Sequence, residues 1–337
     1  MRLFNSDKCY IAVDIGGNFL GAETGIRLVD AAADAGVDAV KLQTYRAETI
    51  SASSAEFDME NTGRTSQYKF FKKYELSEAD HRAVFRHAQK RGLDWFSTPS
   101  HPEDADMLDR LGVACYKVGA DDAVNIPFLE NLAERGKPMI LSSGLCIMSE
   151  IHAAVDTILK KGNNQIALLH TVSGYPTHPE HVNLNAMLSM QREFPHFPVG
   201  FSDHTLGIWA SLAAATMGAK IIERHFTLDK KANGPDHMLS SDPPEMAELV
   251  KQIRYMETLR GTWIKQPYGS EVNNRHHNRK SLVCTKALCK GEAFSADNIW
   301  PKRPGMGLSP ELFHAVIGKT AARDIAVDTI LSLSDIA

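Results

Sequence analysis

Two kinds of stretch alternate along this chain. Short apolar runs end in polar or turn residues, and longer segments carry apolar residues three and four apart. The runs CYIAVDI (9–15), AVKLQT (39–44), DWFSTP (94–99), CYKVG (115–119), PMILSSG (138–144), QIALLHTV (165–172), PVGF (198–201) and AKII (219–222) predict strands. Helical spacing follows the first run up to Gly36, then recurs at 78–91, 102–111, 126–135, 149–161, 206–218 and 244–260. Strand–helix alternation over ~250 residues predicts a closed (β/α)8 barrel, an α/β TIM barrel. An open doubly wound sheet alternates too, but no G-x-G-x-x-G follows the first strand. Polar chemistry also stands at strand ends all round: Asp14, Lys41, Gln43, Thr98, Lys117, Ser142, Ser143, His170, Ser202, His204 and His225. An open sheet would gather it at one switch point.

Three stretches break the rhythm. Residues 46–77 form a long polar excursion without sustained period, the composition of a lid or binding loop. Residues 263–279 read as a polar linker that closes a barrel domain at 1–262. Residues 280–337 alternate short β runs (SLVCTKAL, KTAARDIAV) with turns and predict a small second domain. Its RPGMG turn carries Arg303, placed to reach a neighbour.

A formal net charge of -4 shows no basic bias, so nucleic acid is not an expected partner, although a local Lys/Arg cluster can still bind a small anion. Five scattered cysteines, none in a C-x-x-C pair, indicate reduced thiols and a cytoplasmic setting. The first residues show no signal-peptide pattern. The most apolar stretch, 206–218, is shorter than the ~20 residues a bilayer needs, so no membrane association is expected.

The most informative stretch is 198–237, where two strands end in His204 and His225 around a buried helix. A lone histidine there is an ordinary structural residue. Two in register, with Asp203, Glu223 and Asp236 nearby in sequence, point to a divalent metal such as Mn, Fe, Co or Zn, and the absence of a nearby cysteine argues against a closed structural zinc. Lys41 and Lys117 lie on apolar strands, where an ammonium needs an anion. Either each pairs with Asp14 or Asp122, or both join Thr98, Ser142, Ser143 and Ser202 in a cradle for a small dianion. Each charge-assisted bond there contributes about 1.5–3 kcal/mol. The residues themselves thus point to metal-assisted chemistry on a small phosphorylated or carboxylated compound in a barrel mouth.

In this order the motifs resemble those of the sialic acid synthase family, which includes N-acetylneuraminate, legionaminate and pseudaminate synthases and spore-coat polysaccharide relatives. They are DIGGN (14–18), KLQT (41–44), FSTP (96–99), YKVG (116–119), LSSG (141–144), LLHTVSGYPT (168–177), GFSDHT (200–205), ERHFT (223–227) and GPDH (234–237). KGEAFSADNIWPKRPGMG (290–307) resembles the family's antifreeze-like SAF domain. The resemblance implies a transferase that condenses phosphoenolpyruvate with an N-acylated amino-sugar aldehyde, such as N-acetylmannosamine, giving a nine-carbon 2-keto acid and phosphate by C–O cleavage. It implies that His204 and His225 bind Mn2+, with Mg2+ or Co2+ as alternatives. It gives Lys41, Thr98, Lys117, Ser142, Ser173 and Ser202 to phosphoenolpyruvate, and Gln43, Tyr175 and Asp236 to the sugar. Arg303 would reach the other subunit of a swapped homodimer to hold the acyl group. The resemblance gives the catalytic roles to Asp14, Asp122, His204 and His225; Asp14 and Asp122 stand where the family usually has Glu, Phe19 where it has His, and Ser173 where it often has Asn. A barrel lyase or aldolase on another keto sugar acid, and a non-catalytic binding paralogue, are the two competing readings.

Overall fold

The eight predicted strands close on themselves. Strands β1 (Tyr10–Asp14), β2 (Ala39–Thr44), β3 (Asp94–Pro99), β4 (Tyr116–Val118), β5 (Met139–Ser142), β6 (Ile166–Thr171), β7 (Val199–Asp203) and β8 (Ile221–His225) each run parallel to their neighbours, and β8 returns to β1. The computed structural model describes residues 2–4, 6–59 and 63–337. Eight helices follow the strands: α1 (Ala22–Asp34), α2 (Glu78–Lys90), α3 (Pro102–Leu111), α4 (Ile126–Glu134), α5 (Met148–Lys160), α6 (Leu184–Glu193), α7 (Trp209–Thr216) and α8 (Pro243–Arg260). This is the TIM barrel that the alternation predicts.

Local chemistry sets the helix ends. Ser77 and Asp80 form a reciprocal capping box at the start of α2. Pro102 opens α3, and Gly112, at φ 81°, closes it in the left-handed conformation that a Cβ would penalise. Along the strands the two-residue period divides the side chains. Tyr10, Ala12, Ala39, Phe96, Cys115, Ile140, Ala167, Leu169 and Ile221 pack into one inner cluster, which Leu3 joins. The intervening residues, among them Ile11, Val13, Val40, Leu42, Val199 and Phe201, pack with the helices in a larger cluster.

Two parts of the barrel unit differ from the sequence reading. Helix α6 occupies what reads as a plain connection, because only Met187 and Met190 anchor its short apolar face. The polar excursion is ordered: a short helix (Ala47–Ile50), an antiparallel hairpin (Glu56–Met59 with Gly63–Ser66) and a helix (Gln67–Tyr74). Residues 60–62 of that stretch lie outside the described residues. Aromatic edges hold it together, with Phe57 at 5.2 Å from Phe70 and 5.5 Å from Phe71, and Tyr45 at 5.0 Å from Phe71 (ring centroids). Aromatics at irregular spacing leave no period to read.

The chain divides into two units, Met1–Gly261 and Thr262–Ala337. Within the second, the stretch read as a linker contains a helix, Ser270–Asn278, with no buried residue and hence no apolar stripe to announce it. Strand β9 (Ser281–Cys284) pairs antiparallel with β10 (Ile299–Lys302) over a core that includes Leu282, Phe294, Ile299 and Leu331. The KTAARDIAV run makes isolated bridges at Thr320, Ala321 and Ile325 instead of a strand. No described helix is long and apolar enough to cross a membrane.

Candidate active site

Each strand that carries an apolar inner residue carries a polar one two positions further on. Ala12 is followed by Asp14, Ala39 by Lys41, Cys115 by Lys117, Ile140 by Ser142 and Ile221 by Glu223, then His225. Register brings them together: Asp14 lies beside both Lys41 and His225, and Glu223 lies beside Ser202. They line a cavity of about 450 Å³ at the C-terminal ends of the strands.

Its floor is a four-membered charge network. Lys41 Nζ sits 2.7 Å from Asp14 Oδ2 and 3.6 Å from Glu223 Oε1; Lys117 Nζ sits 3.9 Å from the same Glu223 oxygen. Lys117 also donates to Ser142 Oγ and to the Val118 carbonyl at 3.0 Å. Burial opposes the Asp14 and Glu223 carboxylates, but the lysine charges outweigh it and hold both below the usual carboxylate range. Burial also opposes the Lys41 ammonium, and here Asp14 and Glu223 raise its pKa. Lys117 is different. Burial dominates, Lys41 repels it, and its pKa falls to about 8. The ion-pair reading thus describes Lys41 and Asp14, while Glu223, not Asp122, faces Lys117.

Beside this floor stand the two imidazoles, 5.4 Å apart between ring centroids, with the Tyr175 ring tilted against His204 at 4.3 Å. His204 Nδ1 donates to the Val172 carbonyl at 2.9 Å, so its lone pair is on Nε2. Burial, then the neighbouring His225, lowers its pKa to about 4, leaving it neutral near pH 7. His225 Nδ1 is buried without a hydrogen-bond partner, 3.7 Å from Asp236 Oδ2. A neutral imidazole and an orphaned ring nitrogen suit a divalent ion. Among the described residues no group of three or more His, Cys, Asp or Glu side chains could hold one, so water or substrate oxygens would complete the shell.

Of the other residues singled out from the sequence, Gln43, Thr98, Ser173, Tyr175, Ser202 and Asp236 all line the cavity. Gln43 Nε2 donates to Asp14 Oδ2 at 3.0 Å, Lys41 Nζ lies 3.5 Å from Thr98 Oγ1, and Ser202 Oγ donates to Glu223 at 3.0 Å. Asp122 does not line the cavity: its carboxylate accepts from Asn125 Nδ2 at 2.8 Å, and its neighbour Asp121 lines the wall instead. Asp203, grouped in sequence with the metal candidates, points the other way, because it is one step out of phase with Ser202. It is fully buried and pairs with Arg224 and Ser211 behind the sheet. His170 likewise turns outward, donating to the Val182 carbonyl at 2.8 Å. The Ser143 hydroxyl lies 3.6 Å from the Met190 sulfur, away from the lysines. Arg303 belongs to the second unit, just beyond β10, and is exposed.

Sequence reasoning missed two features. It grouped Glu223 with the metal candidates and missed its place between the lysines, although the two-residue step from His225 marks it as inward. The cavity wall built by Ile50, Phe57, Phe70 and Phe71 comes from the excursion, and Tyr45, just before it, joins them.

The fold and the cavity define a TIM-barrel protein whose strand ends concentrate buried cations, carboxylates and imidazoles at one mouth. The chain belongs to the NeuB family, whose model matches residues 28–265, and a SAF domain model matches residues 279–337. It is 37% identical over 336 residues to N,N'-diacetyllegionaminic acid synthase of Legionella pneumophila, covering 97% of this chain and 94% of that protein. It is 33% identical to human N-acetylneuraminate-9-phosphate synthase, covering 92% and 88%. Among solved structures it resembles an N-acetylneuraminic acid synthetase from Leptospira borgpetersenii in complex with citrate (TM-score 0.72, 32% identity, 79% of this chain and 90% of that one). It also resembles the spore coat polysaccharide biosynthesis protein spsE of Bacillus subtilis (TM-score 0.68, 32% identity, 98% and 95%).

Proposed function

We propose that this protein condenses phosphoenolpyruvate with an N-acylated amino-sugar aldehyde, giving a nine-carbon 2-keto acid and inorganic phosphate. The observation that carries the reading is the placement of Lys41 and Lys117 on the floor of a single cavity beside two uncharged or unpartnered imidazoles. Two ammonium groups with the hydroxyls of Thr98, Ser142, Ser173 and Ser202 suit a compound carrying a phosphate and a carboxylate. Lys117, with a pKa of about 8, is the most acidic cation on the floor and holds at Nζ a proton available to the departing phosphate. Asp14 and Glu223 are ionised and so accept protons; Glu223, between the lysines, is placed to take one from the water that adds at the former enol carbon. Gln43, Tyr175 and Asp236 orient the sugar.

His204 and His225 would hold Mn2+ or a similar ion, which when bound polarises the acceptor carbonyl. The resemblance to the family supports a homodimer in which Arg303 serves the acyl group of the acceptor. The reaction is tested by phosphate release from phosphoenolpyruvate with a panel of N-acyl hexosamines, with and without Mn2+. Release only with an acceptor, lost in His204→Ala while the protein stays folded, supports the reading. Turnover of a keto sugar acid without phosphoenolpyruvate would identify a lyase, and no turnover with any sugar a binding paralogue.

A further inference from the structure

Behind the cavity, on the outer face of the sheet, lies a charged pair that the proposed chemistry leaves unused. Arg224 is 1% exposed, and its guanidinium pairs with Asp203, which is fully buried. Replacing a buried pair by apolar side chains of similar volume is often neutral or stabilising, so stability alone does not account for it. The guanidinium reaches three segments at once. Nη1 donates to Asp203 on β7, Nη2 to the Thr205 carbonyl at 3.0 Å and the Leu239 carbonyl at 3.2 Å, and Nε to Ser241 Oγ at 2.9 Å. Asp203 Oδ1 in turn accepts from the Thr205 amide at 2.8 Å, so one ion pair fixes both neighbours of His204. Arg224 is itself the residue before His225, whose carbonyl accepts from the Ser241 amide at 2.9 Å. Leu239 and Ser241 close the loop that carries Asp236, whose Oδ2 lies 3.7 Å from His225 Nδ1.

We infer that Arg224 is the positioning residue of the metal half of the site: its four bonds set the separation and aim of His204, His225 and Asp236 without touching metal or substrate. The inference rests on the reading of His204 and His225 as the pair that holds the ion, and adds what orients them. A lysine would keep the charge beside Asp203, but its single nitrogen cannot span four acceptors as the planar guanidinium does. The lysine floor is held separately, because none of the four bonds reaches the strands that carry Lys41, Lys117 and Ser142.

The experiment titrates the full chain with Mn2+, following the free ion by electron paramagnetic resonance, and separately with phosphoenolpyruvate by calorimetry without metal. Arg224→Lys should raise the Kd for Mn2+ about tenfold, the scale found when a group that orients a metal ligand is lost. The Kd for phosphoenolpyruvate should stay within about twofold of wild type, as for sites that share no partner. Misfolded protein lowers the number of binding sites, not the Kd of those that remain, so instability does not imitate this result. Should Arg224→Lys not fold, Ser241→Ala removes one acceptor, leaves the pair intact and should raise the Mn2+ Kd about threefold, the scale of one hydrogen bond. An unchanged Mn2+ Kd in the folded variant, or an equal rise for Mn2+ and phosphoenolpyruvate, overturns the positioning role while leaving the metal reading intact. A wild type that binds no Mn2+ overturns both.

Discussion

Two layers of the same barrel, two residues apart along each strand, are built to opposite ends. The inner apolar layer (Ala12, Ala39, Cys115, Ile140, Leu169, Ile221) closes the barrel with groups that gain by leaving water. The layer above it (Asp14, Lys41, Lys117, Ser142, Glu223) comes from the same strands and is equally buried, yet consists of groups that lose by it. In Lys117 the loss is visible. Each pH unit is worth about 1.4 kcal/mol, so a fall from 10.5 to about 8 marks an ammonium held at a cost of roughly 3 kcal/mol. A fold does not maintain such a group for its own stability; the lower layer offsets it. Active sites are where this pattern is expected.

The largest effect that separates the layers comes from Lys117→Met. Methionine fills much of the same volume without charge, and it removes both the ammonium cost and the Glu223 attraction, two opposing changes. Phosphate release should fall by about three orders of magnitude, as when a preorganised charge is removed from a reacting centre. The melting temperature, followed by circular dichroism, should stay within a few degrees of wild type. Wild-type turnover in the variant would move Lys117 out of the chemistry, and a collapse in melting temperature would make it a structural group like its neighbours below.

Much of this contrast was legible before any coordinates. Lys41 and Gln43 are two apart, as are Glu223 and His225, so the period of two puts each pair on one face. The same period marks Asp203 and Arg224 as facing outward, and only their closeness in sequence to His204 and His225 drew Asp203 toward the metal candidates. The alternation and its crossovers likewise imply a barrel. Which side chains on different strands would meet was not legible, because register between strands is a tertiary property. Hence the partner of Lys117 is Glu223, not Asp122. At 119–123 the chain turns, the strand period lapses, and Asp121 reaches the cavity in place of its neighbour. The aromatic wall was hidden for another reason: its residues belong to a hairpin and a short helix, neither long enough to leave a period.

A smaller effect sharpens the comparison through pH. The ligand-free Lys117 ammonium, with a pKa of about 8, gains an anionic partner when a dianion binds, so its pKa in the complex is higher and binding takes up a proton. Affinity is therefore full below pH 8 and is lost as pH rises through and beyond it. The KM for phosphoenolpyruvate should climb about tenfold per pH unit above about 8. His204 stays neutral throughout this range, since its pKa is about 4, and does not contribute to the break. Lys117→Arg, whose guanidinium keeps its charge, should lack the inflection; an identical profile in that variant would assign the break to another group.

The smallest effect tests the lower layer by itself. Ile140 is inward, 1% exposed, and two residues before Ser142 on β5. Ile140→Val removes one methylene from a closed apolar cluster, which costs about 1 kcal/mol and, in a barrel of this size, lowers the melting temperature by about 2–4 °C. Ser142 keeps its place because the backbone of β5 is fixed by hydrogen bonds to β4 and β6, not by the Ile140 side chain. KM for phosphoenolpyruvate and kcat should therefore both stay within about twofold of wild type, since methylene-scale changes matter for rate only when they move a reacting group. A change in KM larger than the change in stability would mean that the apolar layer transmits its packing to the lysines, and the two layers would then act as one.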